Sequence, residues 1–320
     1  MESLKPSVLE QQAVGALQQA AYSPKKLVLL HTSVALGVPM LVTFLNYLLS
    51  LQIADTGGLS GLGLRSVLST IQSVLEFAQL VALPFWEIGL VFAALCWLKK
   101  EASQPNSLLQ GFRSFGKVLG MQLLQGCLLF LLGFAIMYIC IIVFVMTPFA
   151  QPLIELLKPF MQPSLTPDQL ETMLTQDVLL AMADAMTPLL IIFGVLFIIV
   201  MAVLFFRMRF AEFSVMEGVG PLQSILQSFR MTRRNCLALL KVDLHFWWFY
   251  LGLGLCIALS FGDQLLPLLG IALPFAEHVN FLVFYVLSAL AQWLLYVLSR
   301  ERILTTYAAA YQALQQAGYR

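Results

Sequence analysis

Residues 118–147 read VLGMQLLQGCLLFLLGFAIMYICIIVFVMT, thirty positions without a charged side chain. A helix of about 20 residues crosses the hydrocarbon core of a bilayer, which is about 30 Å thick, whereas a transmembrane barrel strand needs only about ten alternating residues. This run is continuous and longer, and a helix satisfies its own backbone hydrogen bonds inside lipid. The stretch therefore predicts a membrane-spanning α-helix.

The remainder of the chain repeats this pattern and predicts an all-α polytopic membrane protein. Apolar residues make up 60% of the 320 positions and charged residues only 11%, against about 25% charged in an average globular protein. The composition excludes a nucleic-acid binder, a disordered chain and a disulfide-stapled secreted domain; the five cysteines form no CxxC pair and are expected to be small buried residues. Six spans are predicted, at 27–53, 68–98, 118–147, 187–207, 241–262 and 279–299.

Basic residues indicate the orientation of these spans. Of the 18 Lys and Arg residues, only Arg65 and Lys158 fall on the side that holds the first, third and fifth connections. The others lie on the side of both termini. Because cytoplasmic loops carry the excess of Lys and Arg, both termini are expected in the cytoplasm, with the protein in the bacterial inner membrane.

Two connections on the basic side have nearly the same sequence. SLLQGFR at 107–113 precedes the third span and SILQSFR at 224–230 precedes the fifth, and a weaker third copy, ALQQAA, occupies 16–21. We predict three parallel repeats, 7–100, 101–212 and 218–317, within a single membrane domain of residues 1–320. Each repeat is a short amphipathic cytoplasmic helix followed by a transmembrane hairpin.

Residues 148–186 form a predicted insertion in the middle repeat. It opens with prolines that cannot continue a long helix and then shows an apolar stripe at helical spacing through Leu170, Leu174, Val178 and Met182. One interpretation is a lid over an outward-facing cavity. The favoured alternative is a helix that lies flat on the outer membrane surface.

A resemblance supports this fold. Three stretches carry the resemblance: SFRM at 228–231, LKVDLHFW at 240–247 and TYAAAY at 306–311. They resemble the C-terminal half of the bacterial integral membrane family called domain of unknown function 975. The resemblance covers about residues 205–315, and the first half matches by topology. His245 and the pair Trp247-Trp248 depart from the family pattern, in which smaller residues are usual. The family has no settled activity, so the resemblance implies a fold and leaves the function open.

Ionisable residues within a bilayer are costly and mark candidate sites. Glu87 lies twelve residues before Lys99, about 18 Å along a helix and thus close to the predicted midplane. It is predicted either to couple to protons, cations or a substrate, or to be a neutral, hydrogen-bonded acid that pins helices together. No Lys or Arg is expected at its depth. Asn46, Gln125 and Gln292 complete the candidate intramembrane polar site, with interhelical hydrogen bonding as the favoured role.

The corner that leads into the fifth span is the densest cluster of charge. The candidate headgroup contacts are Arg230, Arg233, Arg234, Lys241, Asp243 and His245. One interpretation is a pocket for anionic headgroups in which Asp243 pairs with an Arg of another repeat. The favoured alternative is charge that sets the topology, next to an aromatic belt.

Two classes of function remain. No HExxH, GxSxG or Gly-rich phosphate loop occurs, so no catalytic residue, metal or cofactor is predicted. The favoured class is a non-enzymatic membrane protein, either lipid-interacting or an accessory or scaffold subunit with a membrane-protein partner. The alternative is a small secondary transporter or channel-like protein that uses the carboxylate of Glu87. Sparse midplane polarity favours the first class.

Overall fold

The computed structural model describes residues 4–55, 61–158, 176–268, 270–271 and 277–318, and within these ranges it contains helices and no strands. Within these described ranges, five helices are long and apolar enough to cross a membrane, or six if one bent pair counts as a single span. The coarse prediction of an all-α chain with several membrane-length helices is confirmed. The helices are α1 Pro6–Gln18, α2 Pro24–Asp55, α3 Gly61–Lys99, α4 Gln110–Arg113, α5 Phe115–Val145, α6 Gln151–Leu157, α7 Gln176–Met208, α8 Ala211–Met216, α9 Pro221–Arg233, α10 Cys236–His245, α11 Trp247–Ser260, α12 Gly262–Leu268 and α13 Glu277–Gln316.

Three short elements precede the long helices α2, α5 and the bent pair α10–α11. They are α1, the 3₁₀ turn Pro105–Leu109 with α4, and α9, and each begins with a proline at its first turn. Proline suits this position because its missing N–H would have no helical partner there. The matching positions of the predicted repeat, Leu17, Leu109 and Leu226, lie on these three elements. A rotational relation between the repeats stays a prediction.

The chain forms two compact units. One comprises Met1–Met121 with Phe210–Arg320, and the other comprises Gln122–Arg209. In the second unit, α6 packs on α7 around a small core. That core consists of Cys140, Phe144, Ala150 and Leu189.

The core of the first unit gathers at the ends of its long helices. It joins the last part of α3 to the start of α5 and to the short helices α8 and α9. Its members are Phe85, Ile88, Val118, Met121, Ala211, Val215 and Ile225. By contrast, only 11% of the most apolar window of α5 and 6% of that of α13 is buried. These apolar faces point outwards, as expected of helices that contact lipid.

Two glycines let α3 touch the segment before α5 with bare backbone. A Cβ placed on Gly89 would lie 2.0 Å from the carbonyl oxygen of Leu108, and one on Gly111 would lie 2.0 Å from that of Phe85. The contact is therefore reciprocal. Gly111 belongs to the repeated sequence, where the other copy has Ser228. Ser228 is buried and accepts a hydrogen bond from the N–H of Phe210 at 3.1 Å.

Two predicted spans have different limits in the structure. The fifth is not one helix over 241–262 but the pair α10 and α11, bent by 67° at the buried Phe246. No Pro or Gly lies at this bend. The N–H of Phe246 donates a hydrogen bond to the carbonyl of Asp243 at 3.0 Å, where α10 ends. The sixth does not end at 299, because α13 continues unbroken to Gln316.

The predicted insertion 148–186 is described only in part. A 3₁₀ turn at Pro148–Ala150 leads into α6, and residues 159–175 lie outside the described residues. Residues 176–186 do not form a separate surface helix. They are the first turns of α7, which runs on through Pro188. This part of the insertion is therefore not the separate helix that the sequence predicts, because α7 continues through Pro188 into the fourth predicted span; its orientation to the membrane stays a prediction.

Candidate functional site

Glu87 lies between α2 and α13, and its expected isolation from cations is wrong. Arg300 of α13 donates through Nη2 to Glu87 Oε2, and His31 Nε2 of α2 lies 3.8 Å from the same oxygen. The arginine reaches Glu87 because α13 continues past its predicted end at residue 299. The carboxylate therefore has a cationic partner, and a neutral Glu87 is not required.

Aromatic rings hold this cluster in place. The Trp86 indole stacks on the His31 ring with centroids 5.7 Å apart and donates from Nε1 to the His31 carbonyl at 3.0 Å. The Arg300 guanidinium lies over the Tyr296 ring, 4.7 Å from its centroid. Glu212 of α8 adds a second carboxylate that interacts electrostatically with Glu87 and Arg300.

The length of α3 changes the depth assigned to Glu87. The candidate span Ser66–Lys99 has 34 residues, about 51 Å, which exceeds a hydrocarbon core of about 30 Å by some 14 residues. From Phe85 onward α3 is largely buried among the short helices of its unit. We therefore expect the lipid-crossing part to lie at about 66–86, with Glu87 at its edge and Glu76 at its centre.

Glu76 is a polar residue that the sequence analysis missed. Asn46 of α2 donates from Nδ2 to Glu76 Oε1 at 2.9 Å, and Gln72 donates from Nε2 to the same oxygen at 3.2 Å. Asn46 therefore belongs with Glu76 rather than with Glu87. The signal that could have found it is its position in the middle of the 66–86 window.

The two predicted glutamines lie in different units. Gln292 of α13 donates to the hydroxyl of Tyr296 at 3.1 Å, so it adjoins the Arg300 cluster through that ring. Gln125 is a half-buried residue of α5 in the second unit. The structure thus brings Gln292 toward Glu87 and gives no such role to Gln125.

The basic corner is the end of α9 with the start of α10, and we use that name for Arg230, Arg233, Arg234 and Lys241. All four side chains are exposed. Three large apolar side chains of the same segment are also exposed: Leu237 by 76%, Leu244 by 61% and Trp247 by 61%. Positive charge and apolar surface therefore occur side by side.

Asp243 and His245, predicted with the basic corner, make contacts to other helices. The Tyr307 hydroxyl donates to Asp243 Oδ1 at 2.6 Å. His245 Nε2 lies 2.9 Å from Glu10 Oε2 of α1, and Arg302 of α13 pairs with the other oxygen of Glu10. These two residues connect α10 to α13 and α1.

A second ionic cluster closes the far end of the unit. Glu217 accepts hydrogen bonds from Lys99 at 2.7 Å, Tyr311 at 2.9 Å and Gln315 at 2.5 Å. Burial alone would raise the pKa of this carboxyl, but the three hydrogen bonds outweigh burial and hold the pKa below its ordinary value. The cluster joins the ends of α3 and α13 to the segment after α8.

Among the described residues, no group of three or more His, Cys, Asp or Glu side chains is arranged to hold a metal ion. No family model, curated protein or solved structure matches the chain. The resemblance to domain of unknown function 975 therefore stays a prediction.

Proposed function

We propose that this chain is a non-enzymatic protein of the bacterial inner membrane, with both termini in the cytoplasm, that binds anionic lipid headgroups through the basic corner. Its role is that of an accessory or scaffold subunit. The observation that carries the proposal is the joint exposure of Arg230, Arg233, Arg234 and Lys241 beside exposed leucine and tryptophan side chains.

The charges of the basic corner suit a phosphate-bearing surface. Each Lys or Arg near an anionic membrane contributes about 1 kcal/mol, so four contribute about 4 kcal/mol before screening by salt. The two nearby residues Asp243 and His245 already contact Tyr307 and Glu10, respectively. The exposed basic side chains therefore supply the electrostatic part of the binding.

The apolar neighbours support a location of this segment at the membrane boundary. Leu237, Leu244 and Trp247 lie on α10 and at the start of α11, on either side of the 67° bend. Tryptophan is enriched at the level of lipid headgroups, where its ring is apolar and its N–H reaches water. A bent pair of helices with basic and apolar residues together fits a segment that enters the membrane at its surface.

The test measures lipid enrichment around the protein. The purified chain is reconstituted in nanodiscs of phosphatidylcholine with a minor fraction of phosphatidylglycerol, and the retained lipids are counted by native mass spectrometry. Wild type should enrich phosphatidylglycerol. A variant with Arg230, Arg233, Arg234 and Lys241 changed to Gln should lose most of that enrichment.

A matched control removes the same charge elsewhere. Lys25, Lys26, Lys100 and Arg113 are exposed basic residues of the same unit, and changing all four to Gln should leave the enrichment near the wild-type value. Equal losses in both variants would show that bulk charge, not the basic corner, selects the lipid. Unchanged enrichment in the corner variant would reject the proposal.

The alternative function, a small secondary transporter or channel-like protein, has one observation in its favour. Glu87, His31 and Arg300 come from three different helices and meet at one place. Ionisable groups that converge inside a helix bundle are typical of ion and proton pathways. This alternative predicts substrate or ion flux in reconstituted vesicles that is lost in Glu87→Gln.

A further inference from the structure

Polar side chains line the contacts between α2, α3 and α13 along much of their length. We call this set the polar seam, and it consists of Asn46, Glu76 and Gln72 at one end, Thr43 and Tyr285, Ser33 and Trp293, Gln292 and Tyr296, and His31, Glu87 and Arg300 at the other end. Side-chain contacts join the members of each group: Thr43 donates to the Tyr285 hydroxyl at 3.1 Å, for example, and Trp293 donates to Ser33 at 3.2 Å. Packing between these helices could be achieved by apolar side chains alone, so the polar side chains of the seam call for another explanation.

The two carboxylates of the polar seam lie on one face of α3. Glu76 and Glu87 are eleven residues apart, which is about 16 Å of rise and returns to within about 20° of the same direction. Gln79, half-buried, lies between them on that face. The helix therefore presents one acid at the centre of its lipid-crossing part and one at its edge.

Several buried polar atoms of the polar seam lack a hydrogen-bond partner within the described chain. They are Asn46 Oδ1, both ring nitrogens of His31 and Nη1 of Arg300, and the hydroxyl of the adjacent Thr32 is also unpaired. His31 and Thr32 are fully buried. In addition, Pro39 of α2 has no N–H, so it leaves the carbonyl of Ala35 without its helical donor. Buried polar atoms are costly unless they bind water or another partner.

The amide beside Glu76 distinguishes a proton from a metal ion as the occupant of this site. Asn46 and Gln72 both direct N–H groups at Glu76 Oε1, and such donors repel a metal cation. The other polar atom of this amide, Asn46 Oδ1, is a hydrogen-bond acceptor that has no donor among the described residues. A proton on Glu76 supplies the matching donor, because a carboxylic acid and an amide form a pair of complementary hydrogen bonds.

We propose that the polar seam conducts protons, with Glu76 as the proton-binding group at the centre of the membrane and Glu87 as the group at its edge. The groups that face Glu76 are Asn46 from α2 and Gln72 from its own helix. Those that face Glu87 are His31 from α2, Arg300 from α13 and Glu212 from α8. This activity goes beyond headgroup binding and does not depend on it.

The transfer is chemically balanced. A hydronium ion at the edge of the polar seam releases one proton and becomes water, water molecules at the unpaired polar atoms relay the proton, and a carboxylate oxygen of Glu76 forms the new O–H bond. Release to the opposite side reverses these changes. No group is oxidised or reduced, and one positive charge crosses the membrane in each cycle.

The test is a proton-flux assay in vesicles. The chain is reconstituted in phosphatidylcholine and phosphatidylglycerol liposomes with an entrapped pH-sensitive dye, and a potassium gradient with valinomycin supplies an inside-negative potential. Wild-type vesicles should acidify faster than empty ones. Glu76→Gln should bring the rate to the level of empty vesicles, because the amide cannot take up the proton.

Three further variants define the result. Asn46→Leu should slow acidification by about tenfold, the effect of losing one hydrogen bond, and Glu76→Asp should retain flux at a reduced rate. Glu155→Gln changes an exposed acid of the other unit and should match wild type. Wild-type vesicles that behave like empty ones, Glu76→Gln vesicles that behave like wild type, or acidification that requires external sodium would each overturn the proposal. Lipid enrichment in the nanodisc assay would still test the proposed function separately.

Discussion

Replacement of Gly89 by Ala tests the reciprocal backbone contact between α3 and the segment before α5. The new Cβ would lie 2.0 Å from the Leu108 carbonyl oxygen, whereas a relaxed C···O contact is about 3.3 Å. The two segments must therefore separate by about 1.3 Å. The atoms nearest to the new Cβ are backbone atoms of Leu108, and Leu108 and Phe85 are buried at the contact. No side chain can therefore rotate away to relieve the overlap.

The expected cost follows from these distances. Overpacking of this kind costs up to about 3 kcal/mol, and the higher helix propensity of Ala at an interior position offsets about 1 kcal/mol of it. The net loss of about 2 kcal/mol corresponds to a fall in melting temperature of roughly 4–8 °C for a unit of this size. Intrinsic fluorescence of the detergent-solubilised protein during heating measures this shift.

The matched control is Gly15→Ala. Gly15 is also in a helix, but a Cβ there would meet no atom within 4 Å, so only the propensity gain applies and the melting temperature should rise slightly. If Gly89→Ala melts at or above the wild-type temperature, the close approach is not a constraint on stability and the reasoning fails.

Three other predictions follow from the ionic contacts and the topology. Glu217→Gln should destabilise the protein by about 1–2 kcal/mol at neutral pH. Because the pKa of Glu217 is lowered in the fold, the melting curves of variant and wild type should converge as the pH falls below the ordinary glutamate range. A difference that stays constant with pH would contradict this prediction. Arg300→Gln should cost about 1–2 kcal/mol by leaving Glu87 without its cation, and the double variant with Glu87→Gln should recover part of the loss in the same melting assay. Cysteine introduced at Gly318 should react with a membrane-impermeant maleimide only after cells are opened, whereas Ser66→Cys should react in intact cells. Labelling of position 318 in intact cells would contradict the predicted cytoplasmic location of the C-terminus.

The sequence predicted the long helices well because their apolar runs are unbroken. It misplaced their ends where charged residues look like a membrane boundary. Arg300 and Arg302 suggest that the last span stops at 299, yet both pair with carboxylates of other helices, Glu87 and Glu10. Such pairs depend on tertiary contacts between residues far apart in the chain, which a single sequence does not reveal.

The bend at Phe246 and the position of Glu76 were missed for different physical reasons. No breaker residue precedes the bend; the burial of Phe246 and the contact of His245 with Glu10 override local helix preference. The depth of Glu76 was missed because Lys99 was used as the inner end of the span. Burial of α3 beyond Phe85 favours a boundary of the lipid-crossing part well before Lys99.

The last helix, α13, links the two ionic clusters of its unit within one unbroken helix. Its 40 residues form a rod of about 60 Å, anchored through Arg300 to Glu87 and through Tyr311 and Gln315 to Glu217. A tilt of about 5° about one end would move the other end by about 5 Å. A tilt of the part of α13 that precedes Arg300 would therefore also displace Tyr311 and Gln315, whose side chains contact Glu217.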